Sequence, residues 1–532
     1  MPSSSWQARS KSRTEARKDG ESAPACGRAI SPSDKIALVR FPTSLALPKS
    51  RPRRATWIKD KAGLILSNSV INPQRIAALK AARMQGHAMT TETIQIPLSS
   101  EQERWYSDAC ARLDSERLKR LLLQLIDIPS PTGGERRASE FIAEYMRNQL
   151  GGRAYYQPIN EDTGNAIGEV RGRGGGATLL LYAPIDTHLE GDPDKDLPWA
   201  GRVLRADMTP KGYAEGDMIF GLGAANPKCM VATLSEIAVA LHEARIPLIG
   251  DLAIGFAGGG MPVNIAARSN YGMSDGVYHL LTRGVAPDFA IIMKPVWRVY
   301  AEEPGMCWFK VAVYGTLGYA GIPRGAPGYR DSIVAAAELI KQIDAWLPEY
   351  TTRNTSGEIA PGGHIAAVRS GWPERPAFPS ATTEIFLDIR CNPRTSPAEV
   401  KAQFAEAMEM LHQRNPDMEF DWEMFGAYPG GATEASNWII QSTRRGWERV
   451  QERAHGEPPK LGGQTDGALI RRLGIPCARI GYPWPPRNCP EQFKQGLGGM
   501  GVAWVPDLIK SARAIMYAVI DTLTRTRHEL GL

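Results

Sequence analysis

The sequence predicts an α/β protein: a mixed sheet covered by helices, with a ferredoxin-like (βαββαβ) domain inserted as a lid. Short runs of β-type residues alternate with amphipathic helices before residue 305 and after residue 425. Between these positions the order changes to strand, helix, two strands, helix and strand. With 532 residues, the chain is also too long for one compact core, so more than one folded unit is expected.

The elements before residue 305 are predicted from their apolar spacing. Helical spacing over 118–126 ends at the segment IPSPTGGE, and a second helix is predicted over 137–150 after the Gly-Gly turn. A further helix is predicted over 229–244. The predicted strands cover 165–170, 177–185, 251–257 and 288–293. This alternation indicates a sheet with helices on both faces.

The inserted module begins with the strand CWFKVAVYG and continues with the helix DSIVAAAELIKQIDAWL. Two strands (HIAAVR and TTEIFLDIR), a helix (PAEVKAQFAEAMEMLHQ) and a strand (MEFDWEMF) complete it. A helix, a strand and a closing helix follow. The predicted units are therefore a leader over 1–95, an α/β domain over 96–304 and 426–532, and the lid domain over 305–425.

Charge separates the leader from the rest of the chain. Residues 1–88 hold 17 Lys and Arg against 5 Asp and Glu, whereas the remainder holds 46 against 52. Three interpretations of the leader remain open. It is a disordered arm, or it results from an upstream start codon and the real start is Met84 or Met89, or it is a transit or nucleic-acid-binding arm. The mildly acidic body predicts neither a nucleic-acid nor a membrane partner, and it contains no apolar run of the ~20 residues that a spanning helix needs.

Cysteine use indicates the compartment. The seven cysteines are widely spaced and form no CxxC motif. This pattern argues against a disulfide framework and predicts a reducing, cytoplasmic location.

Six segments, in chain order, resemble one enzyme family. They are LLQLIDIPSPTGGE, LLLYAPIDTH, GLGAANPKCMVA, GFAGGG, IIMKP and GGQTDGALIRRLGIPCARIGYPW. Together they resemble the zinc-dependent family of aminoacylase, carboxypeptidase G and succinyl-diaminopimelate desuccinylase, from about Arg117 to the C-terminus. The resemblance implies a catalytic-type α/β domain, a lid, and homodimers formed through the lid.

The resemblance also implies two zinc ions bridged by a carboxylate, held by two His and three carboxylates beside a Glu that acts as general base. The matching positions of this chain hold other residues: Pro184, Asn226, Gly258 with Gly259, Lys294, and Asn488 or Cys489. Proline, glycine and lysine do not ligate zinc in a neutral site. We therefore expect this chain to lack the zinc pair and to need no cofactor.

Several polar residues remain at positions that match the family's site. Asp186, Lys294, Lys228 and His188 are the candidate catalytic residues, because a lysine can supply fixed positive charge where the zinc ions are missing. His188 follows Asp186 by two residues and would share its face on a strand. The candidate substrate-binding residues are Arg390, His364, Asn226, Tyr319 and Asp466. Each has a structural alternative, as a turn, packing or surface residue.

Three functions are compatible with these residues. The first is hydrolysis of a carbon–nitrogen (amide-type) bond in a small carboxylate-bearing substrate without the zinc pair, which retention of Arg390 and His364 favours. The second is a non-catalytic binding or regulatory protein on the same scaffold. The third is a lyase or deaminase that uses Lys294 or Lys228. Fold analogy does not separate them, because function resides in the site.

Overall fold

The computed structural model describes residues 93–264, 268, 271–494 and 500–532. The predicted leader up to residue 92, with its alternative start sites, lies outside the described residues. Within the described ranges, no helix is both long enough and apolar enough to cross a membrane.

Twelve α-helices are described in these ranges. They are α1 Ser100–Cys110, α2 Ser115–Ile126, α3 Arg136–Gln149, α4 Pro193–Ala200, α5 Cys229–Ala244, α6 Asp275–Thr282, α7 Ser332–Asn354, α8 Pro397–Arg414, α9 Trp438–Gln451, α10 Gly467–Arg472, α11 Glu491–Lys494 and α12 Val505–Leu523.

Fifteen strands are described in the same ranges. They are β1 Ala154–Pro158, β2 Gly164–Val170, β3 Thr178–Pro184, β4 Tyr213–Glu215, β5 Met218–Phe220, β6 Asp251–Ala257, β7 Phe289–Met293, β8 Glu302–Glu303, β9 Gly305–Tyr314, β10 Gly363–Ser370, β11 Thr382–Cys391, β12 Glu419–Tyr428, β13 Gly431–Ala432, β14 Cys477–Ile480 and β15 Val502–Trp504.

The central sheet is mixed, as predicted. Its strand order is β1-β2-β6-β3-β7-β14, in which β1, β2 and β6 pair antiparallel and β6, β3, β7 and β14 pair parallel. Alternate residues of β3 pack on opposite faces: Leu179 and Leu181 join the core under α5 and α12, and Leu180 joins the core under α6 and α10. Burial on both faces explains why β3 is apolar throughout. The parallel strands end at one edge of the sheet.

The lid has the predicted ferredoxin-like order. Strands β9 to β12 form an antiparallel sheet in the order β10-β11-β9-β12, and α7 and α8 cover one face through a separate core that includes Phe309, Leu339 and Phe404. Alternation along β11 is strict, with Ile385, Leu387 and Ile389 in that core. The residues between them therefore face the opposite side of the sheet. The predicted domain boundaries and the predicted homodimer stay predictions.

Candidate functional site

A cluster of buried acids lies where the parallel strands of the central sheet end. Asp186 follows β3 by two residues and is fully buried. Its carboxylate accepts hydrogen bonds from the Thr132 hydroxyl at 2.8 Å and from the backbone N–H groups of Gly260 and Met261 at 3.0 and 2.9 Å. Burial raises the pKa of Asp186, and these donors act against that rise. The edge is the one at which open α/β sheets place their sites.

Asp466 lies beside Asp186 and precedes α10. It is fully buried and accepts hydrogen bonds from the Tyr182 hydroxyl at 2.7 Å and the Ser274 hydroxyl at 2.5 Å. Burial raises the pKa of Asp466 to about 6, although Lys294 and the two hydroxyl groups lower it. Asp466 therefore exchanges its proton close to neutral pH.

The glycines that follow β6 make room for these acids. A Cβ added to Gly260 would lie 2.6 Å from Pro184 Cβ, 2.8 Å from Asp466 Oδ2 and 3.2 Å from Asp186 Oδ1. A Cβ added to Gly258 would lie 2.7 Å from Thr163 Oγ1 and 2.9 Å from Glu135 Cδ. Contacts this short require the neighbours to move. The space that a side chain at position 258 or 260 would need is therefore filled by acidic side chains from distant parts of the chain.

Glu135 is the acid that sequence reasoning missed as a site residue. It lies just before α3, is fully buried, and accepts hydrogen bonds at Oε1 from the N–H groups of Gly133 and Gly259, both at 2.8 Å. Its other oxygen, Oε2, is buried and accepts no backbone hydrogen bond among the described residues, and the Thr163 hydroxyl beside the carboxyl group lowers its pKa. Burial, and then the charge of Asp186, raises the pKa of Glu135 to about 7. The available signal was its position in the PTGGE turn.

Lys294 follows β7 directly and is buried, with 7% of its surface exposed. Burial lowers the pKa of its ammonium group, and the negative charges of Asp466 and then Asp186 act in the opposite direction. Of the two acids, Asp466 has the larger effect on the pKa of Lys294. The cluster holds three carboxyl groups and one amine.

Lys228 and Asn226 make their hydrogen bonds elsewhere. Lys228 is fully buried, and its ammonium group donates to the carbonyl oxygen of Ile128 at 2.7 Å and to that of Ile126 at 3.4 Å, at the C-terminal end of α2. Burial lowers the pKa of Lys228 to about 7. The Asn226 amide donates to Met500 Sδ at 2.9 Å. Lys228 therefore holds the end of α2 and the loop that follows it, whereas Asn226 connects its own loop to the segment that precedes β15.

His188 does not share a strand face with Asp186, because β3 ends at Pro184. That part of the sequence argument is wrong: the chain turns after the strand, and the alternation of side chains ends with it. Asp186 is buried, whereas the His188 ring lies edge-on to the Trp199 ring with 6.4 Å between ring centroids.

Arg390 and His364 lie on the lid face that is turned away from α7 and α8. Arg390 donates to Asp388 Oδ2 at 2.9 Å, and His364 on β10 is paired in register with Asp388. In the sheet Arg390 lies opposite Met306, which packs against Ala468 of α10, the helix that follows Asp466. One end of this lid face therefore contacts α10, the helix that begins directly after Asp466.

Tyr319 lies in the loop between β9 and α7. Its side chain is 54% exposed, and its ring lies 5.8 Å from the ring of Phe378. Among the described residues, the Tyr319 ring contacts a residue of the lid itself.

The side chains at the family's metal positions do not fit a zinc pair. Pro184 and Gly258 offer no donor side chain, and Lys294 brings a positive charge into the cluster. Cys489 packs in a small apolar cluster with Met218 and Phe220. Over residues 93–264, 268, 271–494 and 500–532, no three His, Cys, Asp or Glu side chains are arranged to hold a metal ion.

Comparison with known proteins supports the fold. No family model matches the sequence. Human carnosine dipeptidase 1 is similar in structure with a TM-score of 0.58 and 11% sequence identity, over 81% of this chain and 100% of that chain. A tripeptidase from Staphylococcus aureus gives 0.56 and 16%, over 78% and 100%. A hydantoinase/carbamoylase family amidase from Burkholderia multivorans gives 0.51 and 13%, over 78% and 99%.

These proteins are two peptidases and an amidase. An M20 family metallo-carboxypeptidase from Sulfolobus solfataricus is also similar in structure, with a TM-score of 0.54 and 14% identity, over 76% of this chain and 99% of that chain. The chain therefore has the fold of these hydrolases of carbon–nitrogen bonds. The family resemblance of the sequence is confirmed at the level of the fold.

Proposed function

We propose that this protein hydrolyses a carbon–nitrogen bond of a small, carboxylate-bearing substrate with an acid–base cluster of side chains in place of a zinc pair. The shared fold supports the reaction class. The residues Glu135, Asp186, Asp466 and Lys294 support the chemistry, because they bring three carboxyl groups and an amine together at the sheet edge where such folds place their sites.

The observation that carries the proposal is the state of Glu135. Its Oε1 is held by two backbone N–H groups, while its buried Oε2 accepts no backbone hydrogen bond and the Thr163 hydroxyl is the side-chain donor beside the carboxyl group. A carboxyl group with a pKa of about 7 is suited to take a proton and return it near neutral pH. The neighbouring carboxylates accept well-formed hydrogen bonds at both oxygens, whereas Glu135 has such bonds only at Oε1, with the Thr163 hydroxyl beside its carboxyl group.

The proposed reaction uses Glu135 twice. Its carboxylate takes a proton from a water molecule, whose oxygen bonds to the carbonyl carbon of the substrate. The Lys294 ammonium group stabilises the negative charge that forms on the carbonyl oxygen. The carbon–nitrogen bond then breaks, and Glu135 returns the proton to the leaving nitrogen. The negative charges of Asp466 and Asp186 favour the charged form of Lys294, against the lowering of its pKa by burial.

Arg390 and His364 are proposed to hold the carboxylate of the substrate. The Arg390 guanidinium group is about one-sixth exposed (17%) and already pairs with Asp388, which fixes its position on the lid face. A guanidinium group binds a carboxylate through two parallel hydrogen bonds. The connection of Met306 to Ala468 supports an approach of this lid face to the acid cluster.

The test is a hydrolysis screen of dipeptides, N-acyl amino acids and N-carbamoyl amino acids at pH 7.5, with and without a chelator. We expect turnover that survives the chelator and falls about 100-fold or more in Glu135→Gln. Glu161→Gln, at an exposed position, is the matched control and should keep full activity. Turnover that requires added zinc, or an unimpaired Glu135→Gln variant, would show that the acid cluster does not perform the reaction.

A binding protein on the same scaffold is the second candidate. It is favoured by the complete hydrogen bonding and full burial of Asp186 and Asp466, which is also typical of acids that only hold a loop. Saturable binding of an N-acyl amino acid in calorimetry, with no product after prolonged incubation, would favour this candidate over hydrolysis.

A further inference from the structure

A basic pocket lies at the same sheet edge, in segments that follow β7 and β14. It is a cavity of about 520 Å³, formed also by the end of α9 and the start of α12. The charged residues that line it are Arg298, Arg453, Arg487, Lys510 and Asp507. Of these described residues four are cations and one is an acid, although the body of the chain as a whole is mildly acidic. We call this cavity the basic pocket.

Two cations of the basic pocket, Lys510 and Arg298, are held by neutral groups. Lys510 Nζ donates to Gln451 Oε1 at 2.7 Å, and the Trp297 indole N–H donates to the same oxygen at 2.7 Å. The guanidinium group of Arg298 donates to the carbonyl oxygen of Trp297 at 3.0 Å. These bonds position the positive charges without neutralising them.

Two of the guanidinium groups share one aromatic ring. The Cζ atoms of Arg298 and Arg453 lie 4.9 and 5.6 Å from the centre of the Trp447 ring. Lys510 Nζ lies 5.5 Å from the centre of the Trp297 ring. Contacts of this kind stabilise cations only modestly, so the repulsion between the like charges remains. Burial lowers the pKa of Lys510, the charge of Asp507 acts against it, and the smaller effects of Arg487 and Arg453 lower the pKa further.

A bound anion would remove this repulsion. Guanidinium groups present N–H donors in a planar fork that matches the oxygens of a phosphate group. The cavity is larger than a phosphate ion, and Trp504 and Pro483 line the rest of it. A concave pocket with converging cations is also unlike the extended basic stripe that binds nucleic acid.

We propose that the basic pocket binds the phosphate group of a small phosphorylated molecule. The site is separate from the acid cluster of Glu135, Asp186 and Asp466, and the proposal does not depend on the hydrolytic function. Arg487 and Lys510 contact the phosphate together with Arg298 and Arg453, and the organic part of the ligand lies toward Trp504.

The experiment is calorimetry of the full chain with inorganic phosphate, glycerol 3-phosphate, pyrophosphate and citrate. We expect at least one of the three phosphate compounds to bind at one site per chain, more tightly than citrate. Tighter binding of glycerol 3-phosphate than of inorganic phosphate assigns the pocket to phosphate esters, and the reverse order assigns it to free phosphate. Absence of saturable phosphate binding, or tighter binding of citrate, would overturn the proposal.

The variant Arg487→Gln/Lys510→Gln should weaken phosphate binding about 10-fold or more. The matched control is Arg353→Gln/Lys341→Gln, which removes the same charge from the exposed face of α7 and should leave binding unchanged. Equal weakening in both variants would identify non-specific attraction and contradict the proposal. If the pocket variant fails to fold, the single variant Arg453→Gln, at an exposed position, should still weaken phosphate binding. Unchanged affinity of Arg453→Gln for phosphate would also contradict the proposal.

Discussion

At the scale of single residues, the structure changes the meaning of three glycines. Positions 258 and 259 stand where the family resemblance implies a pair of glutamates, and Gly260 follows them. In space, the side chain of Glu135 fills the volume beside Gly258, and Asp186 and Asp466 fill the volume beside Gly260. The acids of this site therefore come from other segments of the chain. Because they pack so closely against positions 258 and 260, these positions have no room for a side chain.

Glu135 should make stability fall as pH rises. Between pH 4.5 and 7 the unfolded chain has released this proton while the folded chain still holds it, so the free energy of unfolding decreases with pH through this window. Glu135→Gln removes the titration and should gain about 2–3 kcal/mol relative to wild type between pH 5 and 8. Urea unfolding at several pH values measures the difference, with Glu161→Gln as the control. Parallel curves for wild type and Glu135→Gln would contradict the prediction.

Lys294 and Asp466 should behave as a coupled pair. Lys294→Met leaves buried carboxylates without their cation and should cost about 3 kcal/mol of unfolding free energy. Adding Asp466→Asn should recover much of that stability, while activity or ligand binding stays lost in both variants. The control is Lys341→Met, at a side chain that is 76% exposed on the lid. A Lys294→Met variant as stable and as active as wild type would show that Lys294 neither stabilises these carboxylates nor takes part in the reaction.

At the scale of elements, the end of β6 determines how closely the acids pack. Gly260→Ala places a Cβ 2.6 Å from Pro184 Cβ and 2.8 Å from Asp466 Oδ2, so strand, loop and acid must separate. We expect a loss of about 1–3 kcal/mol. Gly362→Ala, where an added Cβ meets nothing within 4 Å, is the matched control and should change thermal stability little. Equal melting temperatures for the two variants would show that the acids are not packed against this strand end.

At the scale of the whole molecule, the chain combines the fold seen in peptidases and an amidase with side chains that do not ligate zinc at the positions that the sequence resemblance assigns to zinc ligands. The purified protein should carry well under one zinc per chain, and a chelator should change neither the melting temperature nor any activity found. Elemental analysis and thermal unfolding with and without chelator measure this. Two tightly bound metal ions per chain would overturn the correspondence of Pro184, Asn226 and Lys294 with the family's ligands.

Much of the fold follows from local pattern. The alternation along TTEIFLDIR and the amphipathic runs of α2 and α3 place strands and helices close to their observed bounds, because burial on one face selects period 2 or period 3.6. The family resemblance adds the order of the elements and the lid. Asp186 and Lys294 could be chosen as candidate site residues because strand-end positions are recognisable in a sequence, and Asp466 because it lies in the GGQTD segment of the family resemblance.

The composition of the site depended on tertiary structure. Glu135 and Gly259 are 124 residues apart in the chain and are joined by a hydrogen bond that no local pattern encodes. Likewise, β3 ends at Pro184, so His188 and Asp186 do not lie on one strand face. The Lys228 ammonium group donates its hydrogen bonds to carbonyl groups at the end of α2. The sequence by itself determined the elements and the residue types at the positions that the resemblance assigns to zinc ligands, since both reside in residue identity and spacing. Only the folded structure decided which acids meet, because proximity, burial and the resulting pKa shifts exist only once distant segments are packed together.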